Sequence, residues 1–580
     1  MTCAYPGAAA SGQDDRQEQS IEAILERMTL EDKVGQLFVT YAYGATADAS
    51  DPASVSANRK AHGVDNAKQL IEKYRLGGII YFGWSGNLAN PRQIAELSNG
   101  VQAVALAQPA RVPLLVSTDQ EHGVVYRFSA PATQFPGSMA LGAARVPAMA
   151  FDAAEIAGRE LRAVGINQNF APVADVNVNA GNPVIGVRSF GSDPGLTARL
   201  TGAQVSGFQR AAVSAAAKHF PGHGDTTVDS HTGLPVIGHS LREWERVDAP
   251  PFRAAIARKV DSIMTAHIVV PALDPSGDPA TLSPAIITGV LRGRLGYDGV
   301  VITDALTMAG VRQKYGDARI PVLALKAGVD QLLMPVDIGL AYNAVLTAVR
   351  TGELTEHRID ESVRRVLRMK AERGVLASPF VDPGGLDSVI GTPEHVQAAQ
   401  AIADRTTTLV RNEGVLPLPA GPTSVLTTGW GTSTSPVPQR LAGLMAARGA
   451  SATALQTGAN PSQQAIDAAV AAARSSEVTV AVTNKAWADP GQQRLVDALI
   501  ATGKPVVVLA VRDPYDIAHF PDVPAYLASY SYADVSLEAA VRVLYGELDP
   551  SGKLPVTIPS ASDPATTLYP FGHGLSLGAG

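Results

Sequence analysis

Cysteine is almost missing from this chain. Cys3 alone, among 580 residues, excludes a disulfide framework and any cysteine-held metal cluster. A basic excess is missing as well, since 47 Lys and Arg stand against 54 Asp and Glu, a net charge of −7. Phosphate backbones need a basic face, so no nucleic-acid partner is expected and a small polar substrate fits better. No apolar run reaches the length of a bilayer span, so no transmembrane segment is expected. Charged residues are 17% and apolar residues 46%, the balance of an ordinary globular protein. At 580 residues the chain exceeds what one core organises, so two or more domains are expected. Histidine is also scarce, with 11 in all, yet three fall within the fourteen residues KHFPGHGDTTVDSH (218–231).

The opening MTCAYPGAAASGQDDRQEQS is small, polar and unpatterned, and residues 1–18 are expected to be disordered. It lacks the basic and apolar regions of a signal peptide. Cys3 is either incidental or the remnant of a lipid-attachment site left after signal removal. The second case would place the protein in the secreted or cell-envelope compartment; the alternative is the cytoplasm.

From MTLEDKVGQLFV onward, apolar strand-like runs alternate with amphipathic helices. The strand candidates are GQLFVTY (35–41), GGIIYF (77–82), PLLVST (113–118), GINQNF (165–170), AVSAAA (212–217), SIMTA (262–266), GVVIT (299–303) and DQLLM (330–334). Near-continuous apolar strands between helices indicate parallel βα units, and about eight of them predict a TIM-like (β/α)8 barrel over 19–377. The Pro- and Gly-rich SPFVDPGGLDSVIGT begins a linker and connecting helix over 378–404. A second strand set, TSVLTTGW, EVTVAVTN, PVVVLAV and AYLASYS, predicts an α/β sandwich domain with an open sheet over 405–580. That domain shows no comparable polar cluster, and a supporting or targeting role is expected of it.

Rare polar residues directly follow several barrel strands. Asp119 follows PLLVST, Lys218 and His219 follow AVSAAA, His267 follows SIMTA, and Asp304 follows GVVIT. Barrel active sites are built at the C-terminal ends of strands, so four strands delivering polar groups to one rim mark a site. KHFPGHGDTTVDSH becomes the loop after the fifth strand. Its glycines do not make a Walker pattern, because no GK[ST] follows. His219, His223, Asp225, Asp229 and His231 could in principle ligate zinc or iron, but the spacing matches no recurrent ligand motif. Asp229 and His231 could also merely hydrogen-bond within a rigid loop. An acid/base site of imidazole and carboxylate fits best, and no metal or organic cofactor is expected. His267, His223 and Asp225 read as structural.

The same stretches, with STDQEHGVVYR (117–127), GVRSFGSDP (186–194), MTAHIVVPALDP (264–275), GVVITDALTM (299–308) and AGVDQLLMP (327–335), resemble glycoside hydrolase family 3. LYGELDPSGKLPVTIP and YPFGHGLS extend the likeness to its two-domain members, and the histidine loop resembles the β-N-acetylhexosaminidase branch. The resemblance implies Asp304 as nucleophile of a retaining mechanism. It implies His231 as general acid/base, oriented by Asp229. Asp119, Arg127, Arg188, Lys218 and His219 match residues that hold sugar hydroxyls and the N-acetyl region. Two departures stand out: His122 occupies a position where many members have glycine, and Ala305 one where single-domain members often carry a second aspartate. Gly222 and Gly224 are expected to let the loop swing in over substrate. The implied activity is exo-hydrolysis of terminal N-acetylglucosaminides such as muropeptides or chitooligosaccharides, by a monomer. A phosphate-using phosphorylase and a catalytically inactive sugar-binding protein are the alternatives.

Overall fold

A computed structural model describes residues 7–312 and 314–578. Cys3 lies outside the described residues. A helix runs over Gly7–Glu26, so the disorder expected through residue 18 gives way to helix from Gly7 onward. Long straight side chains and Ala23 favour helix over residues 16–26, and Glu18 and Glu22 pair with Arg368 and Arg364 of the helix Glu356–Glu372. Surface pairs of this kind add little singly. Packing of the helix against the barrel, with Ile21 fully buried, supplies the rest. The next helix, Leu30–Gln36, starts from a capping box in which Thr29 and Asp32 satisfy each other's backbone N–H groups.

Eight parallel strands follow: β1 Phe38–Thr40, β2 Gly78–Ile80, β3 Leu115–Thr118, β4 Gln168–Asn169, β5 Ser214–Phe220, β6 Ser262–Thr265, β7 Val300–Thr303 and β8 Leu332–Leu333. They pair in sequence, β8 pairs back onto β1, and a parallel bridge between Ile302 and Gln331 brings β7 alongside β8. Val39, Ile80, Phe82, Phe170, Ala216, Met264, Ile302 and Leu333 pack together as the barrel interior, which is therefore filled and not a pore.

After a connecting segment and the helix Pro393–Ala403, the second sheet forms from β9 Thr408–Asn412, β10 Ser424–Gly429, β11 Ser451–Gln456, β12 Val478–Thr483, β13 Val506–Ala510 and β14 Ala525–Ala528. Its order is β11-β10-β12-β13-β14-β9, parallel except for β9. Separate apolar clusters cover its two faces, one around Leu441 and Leu537 and one around Leu495 and Leu499. The sequence reading missed β9 and β11, both at sheet edges. β11 is partly or fully exposed along its whole length and carries no apolar run to betray it. The two domains share a core: Met139, Ala140, Ala143 and Val187 of the barrel pack with Tyr515 and Leu554 of the second domain. Among the described residues no helix is long and apolar enough to cross a membrane.

Candidate active site

The C-terminal rim of the barrel surrounds a cavity of about 350 Å³, lined by Asp119, Arg127, Arg188, Lys218, His219, His231 and Asp304. Seven of the eight residues named as site candidates from sequence thus share one cavity; Asp229 is drawn in through its bond to His231. Glu121, within STDQEHGVVYR but not among the expected site residues, also lines it.

Glu121 is the hub of the floor. Arg188 donates two hydrogen bonds to its carboxylate, Nε to Oε2 at 2.9 Å and Nη2 to Oε1 at 2.8 Å. Lys218 Nζ lies 2.7 Å from Glu121 Oε1 and 3.0 Å from Asp119 Oδ1. Arg127 approaches Asp119 at 3.9 Å. Burial by itself would push Glu121 toward its neutral form. Arg188 and Lys218 reverse that and hold its carboxyl well below the usual range. Burial likewise opposes the charge on Lys218, and Glu121 and Asp119 win, so its pKa is raised. Glu121, Arg188 and Lys218 therefore stay ionised in a nearly dry setting. A bidentate guanidinium–carboxylate pair of this kind fixes direction as well as distance.

Asp175 is the second residue the sequence reading missed. It is fully buried and gathers the start of the histidine loop: Oδ2 accepts from His219 Nδ1 at 2.7 Å, and Oδ1 accepts the backbone N–H of His219 at 3.1 Å and of His223 at 2.8 Å. With Nδ1 turned to Asp175, the other ring nitrogen of His219, Nε2, faces Arg188 Nη2 at 3.5 Å. The available signal was an aspartate six residues beyond QN of β4, on the same rim as Asp119.

The remaining histidines of the loop turn to different partners. His223 lies between Thr226 Oγ1 at 3.0 Å and Ser230 Oγ at 2.9 Å, and burial pushes its pKa down to about 4. His231 Nδ1 lies 2.7 Å from Asp229 Oδ1, which also accepts the His231 backbone N–H at 2.9 Å. Burial opposes the Asp229 charge, but the bonds from His231 outweigh it and lower its pKa. The His231 side chain is 60% exposed, at the mouth of the cavity. Among the described residues no group of three His, Cys, Asp or Glu converges to hold a metal ion.

Gly222 and Gly224 serve close approach. A Cβ on Gly224 would meet Val176 O at 1.8 Å, and one on Gly222, at φ +128°, would meet Asp248 at 2.7 Å. The first half of the loop is therefore packed tight, where freedom to swing was expected of its glycines. His239 fastens it further, 3.1 Å from Asp225 and 2.7 Å from Asp248. The far end is tied to the segment after Asp304, because Ala309 N–H donates to His231 O and Gly310 N–H to Ser230 O.

Asp304 follows β7 and has its own N–H bonded to Thr265 O, while Oδ1 accepts the Ala305 N–H at 2.7 Å. Burial alone would raise its pKa; the nearby His219 and His267, the Ala305 amide and Lys218 lower it instead. The carboxylate is thus kept ionised in a half-buried setting. His267 bridges Thr281 Oγ1 and Ala305 O and so shapes the wall, as its sequence position suggested. His122, at φ +65°, packs edge-on against Phe135 and is not among the residues lining the cavity.

The second domain reaches this rim, a contribution its sequence did not announce. Asp513 Oδ1 accepts the Val187 N–H at 2.9 Å and sits where a Cβ on Gly186 would collide, at 2.6 Å. Tyr515 Oη accepts from Asn177 at 3.0 Å, and Lys485 donates to Pro183 O at 3.2 Å. The turn that carries Arg188 is thus clamped from the far side.

Residues 29–369 match the glycosyl hydrolase family 3 N terminal domain, and residues 407–577 match the family 3 C-terminal domain. The chain is 40% identical over 374 residues to "Beta-hexosaminidase A" of Pseudoalteromonas piscicida, an alignment covering 60% of this chain and 62% of that protein. It is 31% identical over 421 residues to "Beta-N-acetylglucosaminidase/beta-glucosidase" of Cellulomonas fimi, covering 71% and 70%. The solved structure of a glycoside hydrolase family 3 beta-N-acetylglucosaminidase from Paenibacillus sp. str. FPU-7 superposes with a TM-score of 0.82 at 39% identity, over 91% of this chain and 99% of that one.

Proposed function

The chain belongs to glycosyl hydrolase family 3, and from that premise we propose that it is a retaining, exo-acting β-N-acetylglucosaminidase. The observation that carries the reading is a half-buried, ionised Asp304 that shares one cavity with His231, whose exposed ring is bonded to Asp229. The relatives named as hexosaminidases and as a β-N-acetylglucosaminidase support the choice of sugar.

In this reading Asp304 attacks the anomeric carbon and forms the covalent glycosyl-enzyme. As the glycosidic C–O bond breaks, His231 donates the proton on Nε2 to the departing oxygen. Asp229 keeps the ring in the required tautomer through Nδ1–H and stabilises the imidazolium, as the aspartate of a serine-protease triad does. The now neutral Nε2 takes a proton from water, the hydroxide oxygen bonds to the anomeric carbon, and Asp304 leaves. The enzyme returns to its starting protonation. Asp119, Lys218, Arg188, Arg127 and His219 hold the first sugar by its hydroxyls and acetamido group. Terminal N-acetylglucosamine on chitooligosaccharides, muropeptides or related glycans is the substrate class.

The neutral or cationic imidazole at the mouth would also admit an anionic acceptor more readily than a carboxylate would, so phosphorolysis is the second reading. One experiment separates these: turnover of an aryl N-acetylglucosaminide and of the matching aryl glucoside, with and without phosphate. We expect strong preference for the N-acetylated sugar, because a site built to bond a group rejects the substrate lacking it, and release of free sugar in either buffer. Equal efficiency on both sugars would refute the specificity, and sugar 1-phosphate as the product would favour the phosphorylase.

A further inference from the structure

We propose that Trp84 is a stacking platform for a second pyranose, the sugar that departs with the glycosidic oxygen, so that the natural substrate is a saccharide chain of at least two units. The inference rests on the N-acetylglucosaminidase reading for the identity of the first sugar.

Five aromatic side chains follow the first two barrel strands, Tyr41 and Tyr43 after β1 and Tyr81, Phe82 and Trp84 after β2; all but the buried Tyr81 gather around the Trp84 indole. The short turn Gly83–Ser85 that carries Trp84 is tied to the segment after β1. Gly44 N–H donates to Ser85 O at 2.9 Å, and the Asn87 side-chain amide donates to Ala42 O at 3.1 Å and to Gly44 O at 2.8 Å. Phe82 stacks on one face of the Trp84 indole, with centroids 4.7 Å apart and planes 21° apart. Tyr41 and Tyr43 meet it edge-on, at 4.9 Å and 75° and at 5.6 Å and 62°. His62 backs Tyr41 at 4.8 Å, and burial pushes its pKa down to about 4, so this support carries no charge.

The indole is therefore stacked on one face by Phe82 and flanked by the two tyrosines, and it remains 55% exposed. A lone exposed tryptophan is unremarkable on a protein surface. This one lines the same cavity as Asp304 and His231, and its orientation is set before any ligand arrives. A pre-set ring loses little freedom on binding. The electron-rich face of an indole attracts the positively polarised C–H groups that a β-linked pyranose presents on its flat side.

Depth decides which sugar it meets. Lys218 and Glu121 are 3% and 2% exposed and mark the bottom, where the first sugar would be held. Trp84, His231 and Thr307 are the exposed members of the lining, and His231 is the group that must stand beside the departing oxygen. A platform at that level serves the leaving group. Arg127 joins the two levels, because its guanidinium lies 5.8 Å from the Phe82 ring and 3.9 Å from Asp119.

The test compares kcat/KM of wild type, Trp84→Ala and Trp84→Phe on di-N-acetylchitobiose and on β-N-acetylglucosaminyl fluoride. The fluoride has no second sugar and serves as the control for folding and for the first subsite. We expect Trp84→Ala to lose about fivefold to tenfold on the disaccharide, the size of one aromatic contact. On the fluoride it should stay within about twofold of wild type, and Trp84→Phe should retain most of the disaccharide rate. An equal loss on both substrates would overturn the proposal, since Trp84 would then face the first sugar or merely support the fold. No loss on the disaccharide would overturn it as well. Failure of wild type on both substrates would instead strike the N-acetylglucosaminidase reading. The platform would still be judged by calorimetric titration with di-N-acetylchitobiose, where binding unchanged in Trp84→Ala would end it.

Discussion

Lys218 sits between Glu121 and Asp119 with 3% of its side chain exposed, whereas 60% of the His231 side chain faces solvent. The floor of the cavity is a closed network of four charges, each held by at least one other and fixed before substrate arrives. The mouth is a single imidazole on a single carboxylate, carried by a loop whose first half is packed and whose tip is open. The contrast matches the chemistry. Groups that recognise a fixed sugar gain from a dry, rigid setting. A group that must give up a proton and take one back needs access to the water that completes the reaction.

The largest effect should come from the one group both regions depend on. Asp304→Ala is expected to lose ~10⁴-fold or more in kcat with an unchanged thermal midpoint, measured on any N-acetylglucosaminide. Retention of a few per cent in a pure preparation would assign the nucleophile elsewhere. Next, Glu121→Gln breaks the floor alone. It leaves Arg188 and Lys218 with one buried negative charge fewer, a change of about 3–5 kcal/mol when a buried pair is broken. Both the thermal midpoint and kcat/KM should fall together, and a fall in activity with no loss of stability would show that the network is not structural.

Asp513→Ala sharpens the comparison from outside the barrel. Freed from its clamp on Val187 and Gly186, the Arg188 turn should relax, raising KM about tenfold with a smaller change in kcat. Asp513→Asn keeps an acceptor for the Val187 N–H and should recover most of the loss. Equal damage from both variants would mean the carboxylate charge, not the hydrogen bond, matters.

The smallest effect concerns the anchor of the histidine loop. Asp225 and Asp248 raise the His239 pKa to about 10 against some opposing burial. A folded value above the unfolded one stabilises the protein fully below about pH 6.5, and that contribution is lost as pH rises through about 10. His239→Gln should therefore lower the thermal midpoint at pH 7 and make little difference at pH 10.5. A deficit of the same size at both values would contradict the pairing.

The comparison also separates what the sequence could reveal from what it could not. Asp119 and Asp304 stand directly after their short apolar strands, and Lys218 and His219, expected after the fifth strand, lie in the last residues of β5, which runs on through Phe220; their rim was still legible by position. The His231–Asp229 pair stood out because imidazole is scarce elsewhere. Asp175 was not legible, because five residues separate it from β4 and its partners lie more than forty positions away. Glu121 was visible but its role was not, since its partners Arg188 and Lys218 come from other loops. Asp513 was hidden further still. Nothing in RDPYD marks a residue that will cross a domain boundary to hold a backbone N–H. Beyond the first turn after each strand, the missing information is tertiary.

The division of labour between floor and mouth is tested most directly by His231→Ala across leaving groups. The measurement is kcat/KM, which reports the first chemical step, on di-N-acetylchitobiose and on a dinitrophenyl N-acetylglucosaminide. A dinitrophenolate departs without a proton, whereas a sugar alkoxide does not. The account predicts a loss on the order of 10²–10⁴-fold on the disaccharide, the usual worth of a general acid, and a far smaller loss on the aryl glycoside. The same factor on both substrates would contradict it, because His231 would then be holding substrate or loop and the proton would come from another group.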